Sequence, residues 1–313
     1  MKKKSFIRIL SYYLVLIIIT TILTVNYGLN AFYDDLKVRY LGHIFLFSNQ
    51  NYNWLFIGTS RTLTTINPVK LQEAIRLKYK KDSKILNLGL QHGSRYIDYK
   101  ILKSYLKKHI PPEKIFIEVS NIERRIQAVP QYKVFSDIRD VYNDISKKLF
   151  HLNQFTLTCY YEAIFHGPQD LWIFIFERLN LYQSIDDFYK TQGYYEMNNF
   201  FNKWDAQLER EQLSVPEAKI ISNEKLKHVI YYTNKINELC KLHNIELNFI
   251  FIPAYFERKL SDEQIDFYSK LGKIHFLDKS IYNKKYYRDP THLNSLSSEV
   301  IIKSIINTDL LFK

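Results

Sequence analysis

The chain has 313 residues, of which 46% are hydrophobic and 24% are charged, and this composition excludes a disordered chain. The 44 Lys and Arg against 32 Asp and Glu give a formal net charge of +12. Such a charge suits anionic polymers or lipid headgroups as neighbours. Nucleotide bias in an AT-rich genome explains it equally well, because Lys, Ile, Asn, Tyr and Phe are all plentiful.

The N-terminal segment predicts a membrane anchor. Residues 1–8 form a basic tail, and the uncharged apolar run that follows would span about 26 Å as a helix. No small-residue cleavage site follows, so residues 9–27 are predicted to be an uncleaved single-pass anchor. The basic tail is then cytoplasmic, and residues 28–52 link the inner (cytoplasmic) membrane to an extracytoplasmic domain, on its periplasmic or cell-wall side. Nucleic acid is therefore not an expected partner.

Residues 53–121 alternate strand and helix patterns. Three apolar runs predict buried strands, at 54–57, 84–90 and 114–119. Asn67 followed by Pro68 is a typical helix start, and Ser94 can cap a second helix. This alternation predicts a parallel sheet with right-handed crossovers.

The middle of the chain, residues 122–222, is rich in aromatic residues and predicts a helical insertion or cap without strands. The sheet pattern then resumes, with predicted strands at 246–252 and 273–277 and predicted helices at 223–243, 261–272 and 295–306. We therefore expect residues 53–313 to form one α/β domain. It should have three layers, α/β/α, around a parallel sheet of about five strands.

Polar residues and glycines follow several of these strands. Ser60 follows the first, Gly89 and Gly93 the second, Asn121 the third, and the Asp289 to Asn294 loop comes after the fifth. Because ligands bind outside the carboxyl ends of the strands in open parallel sheets, we expect one site at this edge.

Ser60, Asp289 and His292 have the chemistry of a catalytic triad. A serine hydroxyl is a weak nucleophile unless a base takes its proton, and an imidazole oriented by a carboxylate is the usual base. Each residue also has an ordinary structural interpretation, such as a turn serine or a surface histidine. Arg61 could bind an anionic group of the substrate or be paired within the protein. Glu118, in the third strand, is expected to face a cation or the strand end and is not predicted to be catalytic.

At these residues the sequence resembles the SGNH superfamily, also called GDSL-type hydrolases. Gly58 to Arg61 is similar to its first block, with threonine in place of the usual aspartate. Asn121 matches the asparagine of the third block, and Asp289 to Asn294 matches the fifth. Gly93 is the preferred match for the second block, with Gly89 as the alternative.

This resemblance implies an activity and an oxyanion hole. The hole would comprise the backbone amides of Ser60 and Gly93 and the side chain of Asn121. The architecture is similar to that of the anchored SGNH proteins that act beside membrane-bound O-acyltransferases in alginate acetylation and teichoic acid D-alanylation. It implies a membrane-anchored serine O-acyltransferase or esterase that acts on cell-envelope polysaccharide through an acyl-enzyme, with a membrane-bound O-acyltransferase as a partner. The alternative is a noncatalytic anchored subunit that binds glycan or scaffolds an acyltransferase.

No cofactor or metal site is predicted. The two cysteines, Cys159 and Cys240, are too few for a disulfide framework or a zinc site. One disulfide bridge and two buried thiols remain open as alternatives.

Overall fold

The computed structural model describes residues 11–16, 50–90, 94–120, 146–147, 194, 223–255, 259–289 and 291–307. These ranges contain a five-stranded sheet in the order β2-β1-β3-β4-β5. All neighbouring strands are parallel, as the sequence predicts. The strands are β1 (Trp54–Gly58), β2 (Ile85–Gly89), β3 (Lys114–Val119), β4 (Glu246–Phe251) and β5 (Lys273–Phe276).

Helices cover both faces of the sheet. The long helices are α2 (Pro68–Tyr79), α3 (Arg95–Lys108), α4 (Asn223–Leu242), α5 (Asp262–Ser269) and α6 (Ser297–Asn307). A short helix, α1 (Ser60–Thr65), follows β1 and was not predicted. Side chains of α3, α4 and α5 share one core cluster with Leu55 and Ile57, whereas those of α2 and α6 share another with Trp54 and Phe56. Successive residues of β1 thus point into different cores, as expected for a strand buried on both faces.

The predicted helix starts occur where the sequence places them. The Asn67 side chain caps α2 by accepting from the Lys70 amide, with Pro68 in the first turn. Ser94 precedes α3, although its hydroxyl makes no capping hydrogen bond. Ser261 and Gln264 form a reciprocal capping box at α5.

The strand order reverses between β1 and β3. Within the sheet, β2 lies on one side of β1, whereas β3, β4 and β5 lie in succession on its other side. In doubly wound sheets of this order, ligands bind outside the carboxyl ends of the strands at the reversal. Thr59 and Ser60 follow β1, and Ser120 follows β3, so these residues lie at that crevice.

The predicted membrane anchor and the localisation derived from it are corrected by the structure. Within the part of the chain that the structure describes, no helix has the length and apolar character needed to cross a bilayer. Of the predicted anchor, residues 9–27, the described stretch is 11–16, which is helical. The predicted linker before residue 50 and almost all of the predicted helical insertion, residues 122–222, lie outside the described residues.

Cys240 is a free thiol near the end of α4, where it is buried in the core. Burial raises its pKa to about 12, because a thiolate is poorly solvated among apolar side chains. The sequence left a disulfide bridge and buried thiols open as alternatives, and Cys240 is a buried thiol. Cys159 lies outside the described residues.

Asn87 is a fully buried polar residue in β2 that ties α1 to the sheet. Its side-chain amide donates to the carbonyls of Thr62 at 2.8 Å and Ile66 at 2.7 Å, and its oxygen accepts from the Gly89 amide at 2.8 Å. Asn87→Ala leaves these buried groups unsatisfied, so we expect roughly 3 kcal/mol less stability in urea unfolding. The matched change at the exposed Asn234 of α4 should alter stability by less than about 0.5 kcal/mol. Equal effects at both positions would contradict this account of Asn87.

His275 makes stability depend on pH. It is 4% exposed and its Nε2 lies 3.0 Å from Asn248 Oδ1. Burial, aided by the charge of Lys273, lowers its pKa from 6.5 to about 4. As the pH falls through this window the unfolded chain binds a proton that the folded protein does not, so stability should fall by at most about 3 kcal/mol.

His275→Gln keeps a donor for Asn248 and removes the titration. Urea unfolding of both proteins between about pH 6.5 and 4 should show a smaller loss of stability for the variant. The same loss in both would exclude His275 as its source.

Candidate active site

Ser60, His292 and Asp289 form one hydrogen-bonded chain. Ser60 Oγ lies 2.8 Å from His292 Nε2, although the two residues are 232 positions apart. His292 Nδ1 lies 2.9 Å from Asp289 Oδ2 and 3.0 Å from Oδ1. The His292 and Asp289 side chains are 24% and 25% exposed, so they are shielded yet reachable from solvent. The order hydroxyl, imidazole, carboxylate is that of a serine nucleophile with its base and orienting acid.

The turn that carries Ser60 packs closely against the ends of β1 and β2. Thr59 caps α1, since its hydroxyl accepts from the Arg61 amide, and Ser60 is the first residue of the helix. A Cβ at Gly58 would collide with the Thr62 hydroxyl, and one at Gly89 would collide with the backbone of α1. The glycines that end β1 and β2 therefore allow α1 to approach the sheet closely.

The loop that carries Asp289 and His292 is held by its own side chains. Asp289 Oδ1 accepts from the amides of Thr291 at 2.8 Å and His292 at 2.9 Å. The Arg288 amide donates to the His292 carbonyl at 2.9 Å and closes the turn. The buried Asn294 side chain donates to the Lys285 carbonyl at 2.8 Å, which anchors the loop to the segment after β5. The three-residue spacing thus brings acid and base into one turn.

Asp289 is held in its ionised form. Burial opposes ionisation, but hydrogen bonds from His292 and Thr291 and the charge of His292 outweigh it and hold the Asp289 pKa well below its usual range. A carboxylate only accepts hydrogen bonds, so the proton of neutral His292 lies on Nδ1. Nε2 is then the acceptor for the Ser60 hydroxyl, as a general base requires.

A buried carboxylate, Glu118 of β3, lies beneath the Ser60 turn. It is 4% exposed and accepts from the backbone amides of Thr59 at 2.8 Å and Thr62 at 3.1 Å. It also accepts from the hydroxyls of both threonines. The cation expected at Glu118 is Arg61, whose Nε lies 3.5 Å from Oε1, whereas the contacts with the Ser60 turn were not predicted. The signal was a carboxylate near the end of a strand that is apolar from Ile115 to Ile117.

Arg61 is engaged within the protein. Its guanidinium donates to the Ile252 carbonyl at 2.9 Å and to Ser120 Oγ at 3.1 Å, and its Nε lies 3.5 Å from Glu118 Oε1. The Arg61 side chain is 13% exposed. These contacts match the structural alternative of a paired arginine, and the predicted contact with an anionic substrate stays a prediction.

The predicted oxyanion-hole donors are described only in part. Gly93 and Asn121 lie outside the described residues. The Ser60 backbone amide makes no hydrogen bond within the described part of the chain, whereas the amides on both sides of it, of Thr59 and Arg61, are engaged. The Gly89 amide donates to Asn87 Oδ1, so Gly89 does not offer a donor to a ligand.

A scan against protein-family models gives no match, and a search of the curated proteins gives none.

In the described ranges, no group of His, Cys, Asp and Glu side chains is arranged to hold a metal ion.

Proposed function

We propose that this protein is an SGNH-type serine esterase or O-acyltransferase that acts through an acyl-enzyme on Ser60. The observation that carries the proposal is the continuous hydrogen-bonded chain from Ser60 through His292 to Asp289. Its position at the reversal of a doubly wound sheet supports the three-layer, SGNH-like fold that the resemblance implies.

The first half-reaction forms the acyl-enzyme. His292 Nε2 takes the proton of Ser60 as Oγ attacks the ester carbonyl, and a bond forms between Oγ and the carbonyl carbon. The bond from that carbon to the alcohol oxygen then breaks, and the proton on Nε2 passes to the leaving alcohol. Asp289 holds the imidazole in place and stabilises its transient positive charge.

The oxyanion of each tetrahedral intermediate needs donors that are already in place. Within the described residues the Ser60 amide has no acceptor, which supports its proposed role as one donor, and Gly93 and Asn121 are proposed as the others. The loss of one such donor typically costs roughly 3 kcal/mol of transition-state stabilisation.

The second half-reaction transfers the acyl group from Ser60 to an acceptor hydroxyl. With water as acceptor the protein is an esterase, and with a hydroxyl of a polysaccharide or another polyol it is an O-acyltransferase. His292 takes the proton of either acceptor and returns a proton to Ser60. The same residues therefore serve both reactions.

A serine-reactive fluorophosphonate probe tests the proposal. We expect the purified protein to be labelled and the Ser60→Ala variant to remain unlabelled. A p-nitrophenyl acyl ester, offered with and without a soluble polyol, then shows whether the acyl group passes to water or to the polyol. Absence of Ser60-dependent labelling would contradict the proposal and favour a noncatalytic glycan-binding or scaffold protein.

A further inference from the structure

Glu118 makes a dense set of contacts with the residues that flank Ser60. Glu118 Oε2 accepts from the amides of Thr59 and Thr62 and, at 2.6 Å, from the Thr62 hydroxyl. Glu118 Oε1 accepts from the Thr59 hydroxyl at 2.8 Å. One buried carboxylate thus fixes the residue before Ser60 and the residue two positions after it.

Arg61 links the same carboxylate to the neighbouring strands. Its Nε faces Glu118 Oε1 at 3.5 Å, while its other nitrogens donate to Ser120, after β3, and to Ile252, after β4. The Ser60 turn is therefore tied to the carboxyl ends of two further strands. The Asp289 and His292 loop follows the next strand of the sheet, β5.

We infer that Glu118 is a positioning residue, which fixes the Ser60 turn so that the hydroxyl stays within hydrogen-bonding distance of His292. The inference rests on the proposed function, because it assigns Glu118 a part in the reactivity of Ser60. Glu118 does not contact the reacting atoms. It acts through Thr59 and Thr62, and a small displacement of a nucleophile is enough to slow its reaction.

The chemistry of the contacts requires a carboxylate at this position. The two backbone amides and the Thr62 hydroxyl donate to Oε2, whereas the Thr59 hydroxyl and the Arg61 guanidinium present hydrogens to Oε1. A glutamine has the same shape, but in either orientation its amino group would face hydrogen-bond donors. Glu118→Gln therefore replaces one of the two acceptor oxygens by a donor and removes the negative charge, while it keeps the volume.

The rate of fluorophosphonate labelling tests the inference. For Glu118→Gln we expect labelling to reach completion, with a second-order rate constant roughly 100-fold lower than in the wild-type protein. Hydrolysis of an acyl ester should show the loss in kcat, with KM little changed. A residue that only stabilises the fold would lower the labelled fraction and leave the rate constant of the labelled molecules unchanged.

A matched control uses the same substitution at another ion-paired carboxylate. Glu246, at the opposite edge of the sheet, pairs with Lys114 at 3.0 Å and Lys273 at 3.1 Å. Glu246→Gln should leave the labelling rate unchanged. If Glu118→Gln does not fold, the Thr62→Val variant takes its place in the test. This substitution removes one donor to Glu118 with almost no change of shape, and it should also slow labelling.

The outcomes separate this inference from the proposed function. A wild-type protein without labelling at Ser60 would overturn both. A labelled wild-type protein whose rate constant is unchanged in Glu118→Gln, or in Thr62→Val if that variant decides, would overturn only the role of Glu118.

Discussion

Replacing either Ser60 or His292 by alanine is expected to lower the kcat for ester hydrolysis by roughly 10⁶-fold, and the double variant should lose no more. The nucleophile and its base act as one unit, since the 2.8 Å hydrogen bond between them is the path of the proton. Without His292 the hydroxyl is not activated, and without Ser60 the imidazole has no nucleophile to deprotonate. Initial rates with a p-nitrophenyl ester would measure these losses.

Matched substitutions elsewhere act as controls for the Ser60 and His292 variants. Ser269 is exposed at the end of α5, and His243 follows α4 directly. Ser269→Ala and His243→Ala should retain wild-type rates. Losses that simply multiply in the Ser60 and His292 double variant would contradict a joint role, because independent residues have additive effects on the activation free energy.

Asp289→Asn is expected to lower kcat by roughly 10⁴-fold with little change in KM, as initial rates over a range of ester concentrations would measure. The amide nitrogen of the introduced asparagine cannot accept a hydrogen bond from His292 Nδ1, and it favours the tautomer whose proton lies on Nε2. That tautomer cannot accept the proton of Ser60. The depressed pKa of Asp289 reflects the same interaction, because His292 and Thr291 both stabilise the carboxylate.

Asp278→Asn is the control for the loss of a carboxylate. Asp278 is exposed and caps a short helix by accepting from the Ser280 amide at 2.8 Å, which an asparagine can also do. Its activity should match that of the wild-type protein. A fall of less than about 10-fold in Asp289→Asn would mean that Asp289 does not orient the base.

Local sequence patterns predict the strands and helices of the sheet, because each pattern is contained within a few consecutive residues. The strands are short apolar runs, and Asn67 with Pro68 marks a helix start that needs no tertiary context. The prediction that Ser60 and His292 meet required topology as well. Parallel crossovers bring the carboxyl ends of all strands to one edge, and the structure places the two side chains within hydrogen-bonding distance there.

The supporting contacts could not be predicted in this way. Glu118 and Thr59 are separated by 59 positions, and only the register of β1 against β3 brings them together. Asn87 stands in an apolar strand, and its partners belong to α1, a helix too short to leave a periodic pattern. The apolar run at residues 9–27 met the sequence criterion for an anchor, whereas within the described residues no helix is long and apolar enough to cross a membrane.

The proposed mechanism requires that Ser60 becomes acylated with His292 as its base. Acid quenching of the protein during turnover of an acyl ester, followed by peptide mass spectrometry, measures this directly. We expect one acyl group on the peptide that contains Ser60, and no acylation of that peptide in His292→Ala. An acyl group on another residue, or equal acylation of Ser60 in His292→Ala, would contradict the mechanism.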